Sequence, residues 1–142
     1  MLAWAYNEEA LIESFLQRAV ALLDQTATDW EIVVVDDCST DRTNEIATPF
    51  AEQGPRVRVF RHERNLNVGI ANRTAIAHAS KEFLFWQTVD SSYHISKLGI
   101  FLELLLHFDA IQGYPPGSNS VVELYSRITV DLSCPATSGC AL

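Results

Sequence analysis

The sequence predicts an α/β domain, a mostly parallel sheet with helices on both faces. Three observations carry this reading. Ile32 to Val35 is an unbroken β-branched run, as expected of a strand covered on both sides. Apolar strand-like runs alternate along the chain with stripes of helical period, in the order βαβαβαβαβ. Polar clusters follow three of those runs: Tyr6-Asn7-Glu8, Asp36-Asp37 and Asp90. Open parallel sheets bind ligands beyond the carboxyl ends of their strands, so these clusters fall where a site is expected.

The elements can be taken in order. Met1 to Ala5 is a short apolar start. Asn7 is the expected cap of the first helix, with Glu8 and Glu9 in a first turn where acids suit the helix dipole. Ile12, Phe15, Leu16, Ala19, Leu22 and Leu23 then form its apolar stripe. After the strand at Ile32, one of Ser39, Thr40 or Asp41 caps a second helix carrying Ile46, Ala47 and Phe50, which is over by Gly54-Pro55. Val57, Val59 and Phe60 predict a third strand, Asn65 to Gly69 a loop, and Ile70 to Ala79 a helix. Phe83 to Val89 reads as a strand ending at Asp90, Ile95 to His107 as a helix, and Asp109 to Gly113 as a fifth strand. Val122, Leu124, Ile128, Val130 and Leu132 alternate with polar residues, which favours a half-buried strand over an almost equally good helical stripe. The organisation predicted is residues 1–117 as the ligand-binding domain and 118–142 as a C-terminal extension or the truncated remainder of the same domain, its last ten residues loose.

Composition narrows the function. A chain of 142 residues has the length of one domain, and 48% hydrophobic content is enough for a core. A formal net charge of −8 argues against a nucleic-acid polymer as partner, because phosphate backbones need a basic surface. The longest apolar stretch, Leu98 to Leu106, contains Gly99 and Glu103 and falls short of the roughly 20 residues that span a bilayer. Glu8 and Glu9 interrupt any signal-peptide pattern. Cys38, Cys134 and Cys140 lack zinc-type spacing and read as reduced thiols of a cytoplasmic protein.

Four stretches, "AYNEEALIESFL", "EIVVVDDCSTDRT", "RNLNVGIANRTAIAHA" and "FLFWQTVD", resemble successive motifs of the family 2 inverting glycosyltransferases, above all the dolichol-phosphate-mannose-synthase type. The resemblance covers about residues 3 to 113. It implies a Rossmann-like GT-A fold that holds a nucleoside diphosphate sugar and transfers the sugar to an acceptor, lipid phosphate or polysaccharide. Tyr6 would then lie along the base. Glu8 and one of Asp36 or Asp37 would accept hydrogen bonds from base or ribose, while the other acid satisfies the following turn. Capping of the turn and the next helix is the competing role for both acids. Asn65, Asn67 and Gly69 resemble the loop that approaches the donor, with Gly69 allowing close backbone approach or a positive φ. Arg64 and Arg73 are candidate diphosphate partners.

The resemblance also implies a divalent metal, Mg²⁺ or Mn²⁺, at an Asp-x-Asp motif. Here that stretch reads Asp90-Ser91-Ser92-Tyr93-His94, so the expected ligands are Asp90, Ser92 in place of the second acid, and His94. A hydroxyl is a poorer ligand for a hard cation than a carboxylate. The family's general base lies in the half after the metal motif, and Glu123 and Asp131 are isolated acids, so no catalytic residue is identified. The sequence therefore leaves open a truncated or degenerate nucleotide-sugar-binding module without turnover. A doubly wound receiver-type domain shares the acidic strand end but requires a late-strand Lys, whereas Lys97 falls in the fourth helix. Peripheral association with the cytosolic face of a membrane and homodimerisation through an open sheet edge are further expectations.

Overall fold

The computed structural model describes residues 1–90, 98–108, 110–113 and 122–126. Among the described residues, six strands and four helices succeed one another: β1 (Leu2–Ala5), α1 (Ile12–Thr26), β2 (Ile32–Asp36), α2 (Thr43–Glu52), β3 (Val57–Arg61), α3 (Asn67–His78), β4 (Phe83–Thr88), α4 (Leu98–Leu104), β5 (Ala110–Gly113) and β6 (Val122–Ser126). They form one sheet in the order β3-β2-β1-β4-β6-β5. The first four strands run parallel, and β6 pairs antiparallel with both β4 and β5. The predicted mostly parallel sheet is present. The fifth strand does not pair directly with β4, however, because the strand formed by Val122–Ser126 is inserted between them.

Burial explains the layers. Every residue of β2 is buried, which accounts for its lack of polar alternation. Its side chains nonetheless divide by parity. Ile32 and Val34 join Ala3 and Ala5 of β1 beneath α1, where Ile12, Phe15, Leu16, Ala19 and Leu23 are buried. Val33 and Val35 join Leu2 and Leu84 beneath Ala71 and Ala75 of α3. The chain winds outward from β1 to β3 and then returns past β1 to β4, and this reversal carries α3 to the opposite face.

Boundaries differ from the sequence reading in three helices, and α4 ends at Leu104, short of the expected His107. α1 starts at Ile12, and Asn7 is not its cap, since its φ of 57° places it in the left-handed region. The Glu8 carbonyl instead accepts the Leu11 and Ile12 amides at 3.0 and 2.9 Å, closing a turn ahead of the helix. α3 starts at Asn67 and absorbs part of the predicted loop. Gly69 therefore lies within its first turn without a positive φ, and the left-handed residue is Asn67, at 69°. A Cβ at Gly69 would meet nothing within 4 Å, so no close approach within the protein requires glycine there. Ile95 to Lys97 and the last ten residues lie outside the described residues.

α3 seats on the sheet through alanines, with Ala71 and Ala75 both 0% exposed. A larger side chain must push the helix outward. Ala75→Leu is expected to lower stability by about 1–3 kcal/mol, measured by urea unfolding.

Candidate functional site

The strand register defines the site. Ala5 pairs with Asp36 and Trp4 with Thr88. Continuing that register brings Tyr6, Asp37 and Asp90 level on three neighbouring strands. This is the carboxyl edge where the winding reverses between β1 and β4, the usual ligand position of such sheets. Tyr6 is 38% exposed there, Asp90 is exposed and Glu8 is half-buried.

The loops after β1 and β2 are laced together by backbone amides donating to side chains across the gap. Asn7 N–H donates to Ser39 Oγ (2.9 Å), Glu8 N–H to Thr43 Oγ1 (2.7 Å) and Glu9 N–H to Asp41 Oδ2 (3.1 Å). In the other direction, Thr40 N–H donates to Asn7 Oδ1 (2.8 Å) and Arg42 N–H to Glu9 Oε2 (3.1 Å). Two non-glycine residues, Asn7 and Cys38, take φ values of 57° and 66° so that the loops can face each other. Asn tolerates that region, whereas Cys adopts it at a cost offset by the surrounding bonds. None of the three predicted residues is the N-cap of α2, which is Arg42; Asp41, one position earlier, accepts the Thr43 amide at 2.9 Å and the Thr43 hydroxyl through its Oδ1.

Asp36 and Asp37 take a different part from the one expected. Both are 1% exposed, and neither presents an open carboxylate to a ligand. Asp36 Oδ1 accepts the Ser39 amide at 2.9 Å, fixing the turn, and its Oδ2 lies 3.4 Å from Arg61 Nε as an ion pair without hydrogen-bond geometry. Asp37 Oδ1 lies 2.7 Å from His62 Nδ1 and accepts the Leu66 amide at 2.9 Å. The reason is positional. β2 is an internal strand, and the turn after it and the segment after β3 close over its end. The acids hold these two segments, and the accessible groups of the edge come from β1 and β4.

Asn67, Gly69 and Arg73 all lie on α3 and are exposed. The Leu66–Asp37 bond ties the start of α3 to the strand edge, so Asn67 belongs to that neighbourhood, while Arg73 lies about 9 Å further along the helix. Arg64 and Arg73 have no ion-pair partner among the described residues. Ser92 and His94, the other expected metal ligands, lie outside the described residues, and no cluster of three His, Cys, Asp or Glu able to hold a metal occurs among the described ones. A cavity of about 540 Å³ lies at the opposite end of the sheet, lined by Met1, Leu23, Trp30, Phe83 and Leu98. It contains none of the carboxyl-edge groups and is no part of this site.

Electrostatics mark Glu8. Desolvation pushes its carboxyl above the ordinary glutamate range, and the negative charges of Asp90 and Asp41 push in the same direction. Desolvation acts on Asp41 likewise, but the hydrogen bonds from Thr43 and Glu9 outweigh it and hold Asp41 below its usual value. Glu8, Asp41 and Asp90 are thus like charges gathered at this edge.

The sequence gives no role to Thr43 or Thr74, shows no ligand spacing at His62, and marks Ser39 only as a candidate helix cap. Their partners lie 12 to 35 positions away in the chain, so no local spacing announces them.

This geometry has two testable outcomes. Asp41→Ala removes the acceptor shared by Thr43 and Glu9 and should cost about 0.5–2 kcal/mol in urea unfolding. Glu8 binds its proton more tightly folded than unfolded, so its contribution to stability falls as pH rises from about 4.5 through its raised pKa. Glu8→Gln should therefore be more stable relative to the parent at pH 7 than near pH 4, in unfolding series at both pH values.

Comparison with known proteins agrees with this architecture. The profile of Glycosyl transferase family 2 matches residues 4–132. A dolichyl-phosphate beta-glucosyltransferase of Trichomonas vaginalis is 33% identical over 98 residues, covering 66% of this chain and 29% of the relative. The putative teichuronic acid biosynthesis glycosyltransferase TuaG of Bacillus subtilis is 29% identical over 102 residues, covering 72% and 39%. Among solved structures, the mannosyltransferase PcManGT from Pyrobaculum calidifontis in complex with GDP-Man and Mn²⁺ superposes with a TM-score of 0.69 at 25% identity, over 80% of this chain and 34% of that one. S. aureus TarS in complex with UDP-GlcNAc gives 0.65 at 28% identity, over 77% and 32%. The chain thus spans between 29% and 39% of the length of these four proteins. With a family profile matched over most of its length and a parallel GT-A sheet whose acidic strand ends meet at one edge, this chain belongs to glycosyl transferase family 2.

Proposed function

We propose that this chain binds a nucleoside diphosphate sugar across the carboxyl edge of β2, β1 and β4 and forms the donor-binding portion of a glycosyltransferase. The observation that carries the reading is the level placement of Tyr6 and Asp90 on adjacent strands, with Glu8 beside them under the charge of Asp90. A half-exposed aromatic ring next to a carboxylate suits a nucleoside, the ring packing along the base and the acid accepting from an imide N–H or ribose hydroxyl. Solved relatives titled with GDP-Man and with UDP-GlcNAc support the donor class. Asn67, Gly69 and Arg73 on α3, with Arg64 before it, form the side toward the diphosphate. Asp36 and Asp37 support the edge from beneath.

A divalent metal fits this reading through Asp90. Mg²⁺ or Mn²⁺ commonly uses one or two carboxylates and takes its remaining ligands from water and substrate phosphates, so one exposed acid at the edge is a sufficient protein anchor. When bound, such a cation supplies Lewis-acid neutralisation of charge on the departing nucleoside diphosphate. The residues of this chain bind and orient the donor. Glu8 holds the nucleoside while the bonds between the loops after β1 and β2 fix the Glu8 backbone. Relatives named for dolichyl-phosphate and teichuronic acid chemistry support a lipid phosphate or polysaccharide acceptor, which would bring the protein to a membrane face; no helix among the described residues is long and apolar enough to cross one. The place of Val122–Ser126 between β4 and β5 supports treating the residues after 117 as part of the same domain.

Calorimetric titration with UDP- and GDP-sugars, with and without Mn²⁺, tests the proposal. One nucleotide should bind, and Glu8→Gln and Asp90→Asn should each weaken it by about 1.5–3 kcal/mol, roughly 10- to 150-fold. A folded chain that binds no nucleotide would refute the donor site. Binding without release of the nucleoside diphosphate in the presence of acceptors identifies a donor-binding module without turnover. Ser92→Asp adds a carboxylate two positions after Asp90 and should tighten Mn²⁺ about tenfold or more; unchanged Mn²⁺ affinity would remove residue 92 from the metal site.

A further inference from the structure

We propose that His62 is a positioning residue, acting through Asp37 and Thr74 to hold the segment from Glu63 to Asn67, and with it the start of α3, against the strand edge. Its consequence for donor affinity rests on the donor site proposed above; its effect on the segment does not.

The His62 backbone continues β3 by one residue, its amide donating to the Asp36 carbonyl at 2.9 Å. Its ring then spans two elements on the α3 side of the sheet. Nδ1 lies 2.7 Å from Asp37 Oδ1 and Nε2 lies 2.9 Å from Thr74 Oγ1. The ring is 11% exposed and the Asp37 side chain 2% exposed, so the bond to Asp37 is largely shielded from water. The same Asp37 oxygen accepts the Leu66 amide at 2.9 Å. One buried oxygen therefore receives a donor from each end of the segment between β3 and α3. The Cys38 thiol adds a weaker tie to the Glu63 carbonyl at 3.5 Å.

Chemistry fixes the proton positions. An ionised carboxylate only accepts, so Nδ1 carries a hydrogen. A neutral ring then leaves Nε2 to accept from the Thr74 hydroxyl. A protonated ring donates from both nitrogens, and the hydroxyl rotates to accept. Both states are satisfied, so the ring works as a strut.

The strut matters because it stands at the entry to α3. Leu66 immediately precedes Asn67, whose left-handed φ of 69° and amide bond to Asn65 Oδ1 at 3.0 Å set the direction in which the helix leaves the edge. His62 is fastened to the sheet by its backbone amide, which a side-chain substitution keeps, so removal of the ring should loosen this segment and leave the sheet intact.

The test compares the full chain with His62→Ala, His62→Asn and Thr74→Val. An Asn amide can reproduce the Nδ1 donor while losing the Thr74 contact. Thr74→Val removes only that contact in a side chain of the same shape. Amide hydrogen exchange at Leu66 and Asn67 should accelerate about tenfold or more in His62→Ala and about threefold in Thr74→Val, with partial recovery in His62→Asn and no change at Val33 to Val35. The ¹⁵N shifts of the parent ring should report a protonated Nδ1. UDP or GDP affinity in Mn²⁺ should fall about tenfold in His62→Ala and recover in part in His62→Asn. Unchanged exchange at Leu66 in His62→Ala overturns the strut. Faster exchange with undiminished nucleotide affinity overturns its service to the site. Should the parent bind no nucleotide, the donor reading falls while the exchange data still decide the strut. If His62→Ala does not fold, Thr74→Val and His62→Asn carry the same comparison.

Discussion

The exchange of hydrogen bonds between the loops after β1 and β2 is the constraint on which the site depends. Parallel strands end in loops that have no reason to meet, since each must turn away into its own helix. Here the amides of Asn7, Glu8 and Glu9 find acceptors on Ser39, Thr43 and Asp41, and the amides of Thr40 and Arg42 find acceptors on Asn7 and Glu9. Amides that would otherwise be left between helix and strand become cross-links. Two of the left-handed residues, Asn7 and Cys38, lie within these loops, and the bonds over-determine a backbone that would otherwise relax. Glu8 is thereby held near Asp90 although their charges repel.

The adjacent acids at the end of β2 also find a physical explanation. Successive side chains on a strand point to opposite faces, so Asp36 and Asp37 do not share an environment. Asp36 turns toward the α1 side and meets the Ser39 amide and the Arg61 guanidinium. Asp37 turns toward the α3 side and meets His62 and the Leu66 amide. Each carboxylate is buried with donors of its own, which offsets the cost of desolvation. The doublet anchors two different segments, one on each side of the sheet, beneath an edge whose open groups come from other strands.

Much of the fold was legible because it rests on local periodicity. The unbroken run at Ile32 and the stripe from Ile12 to Leu23 specify a buried strand and its covering helix, and the structure buries those residues as the pattern requires. The candidate site was legible as a set of strand ends, since polar residues terminating apolar runs are visible in the letters. The roles within it were less so. Asn7 has the composition of a helix cap, yet its side chain accepts from Thr40, thirty-three residues away. Asn67 looks like a loop residue, yet it opens α3 from a left-handed conformation. At Asn7 a long-range bond overrode a local preference.

The sequence by itself determined that strands and helices alternate, which faces of the helices are apolar, and that acids gather where strands stop. These properties come from side-chain chemistry repeated at fixed spacing, which the chain carries wherever it folds. Only the tertiary structure decided that β6 enters between β4 and β5, that Asp36 and Asp37 serve the protein from within, and that His62 joins Asp37 to Thr74. Those outcomes depend on which distant donors and acceptors the sheet order brings within about 3 Å, a distance set by packing and not written in any local stretch of sequence.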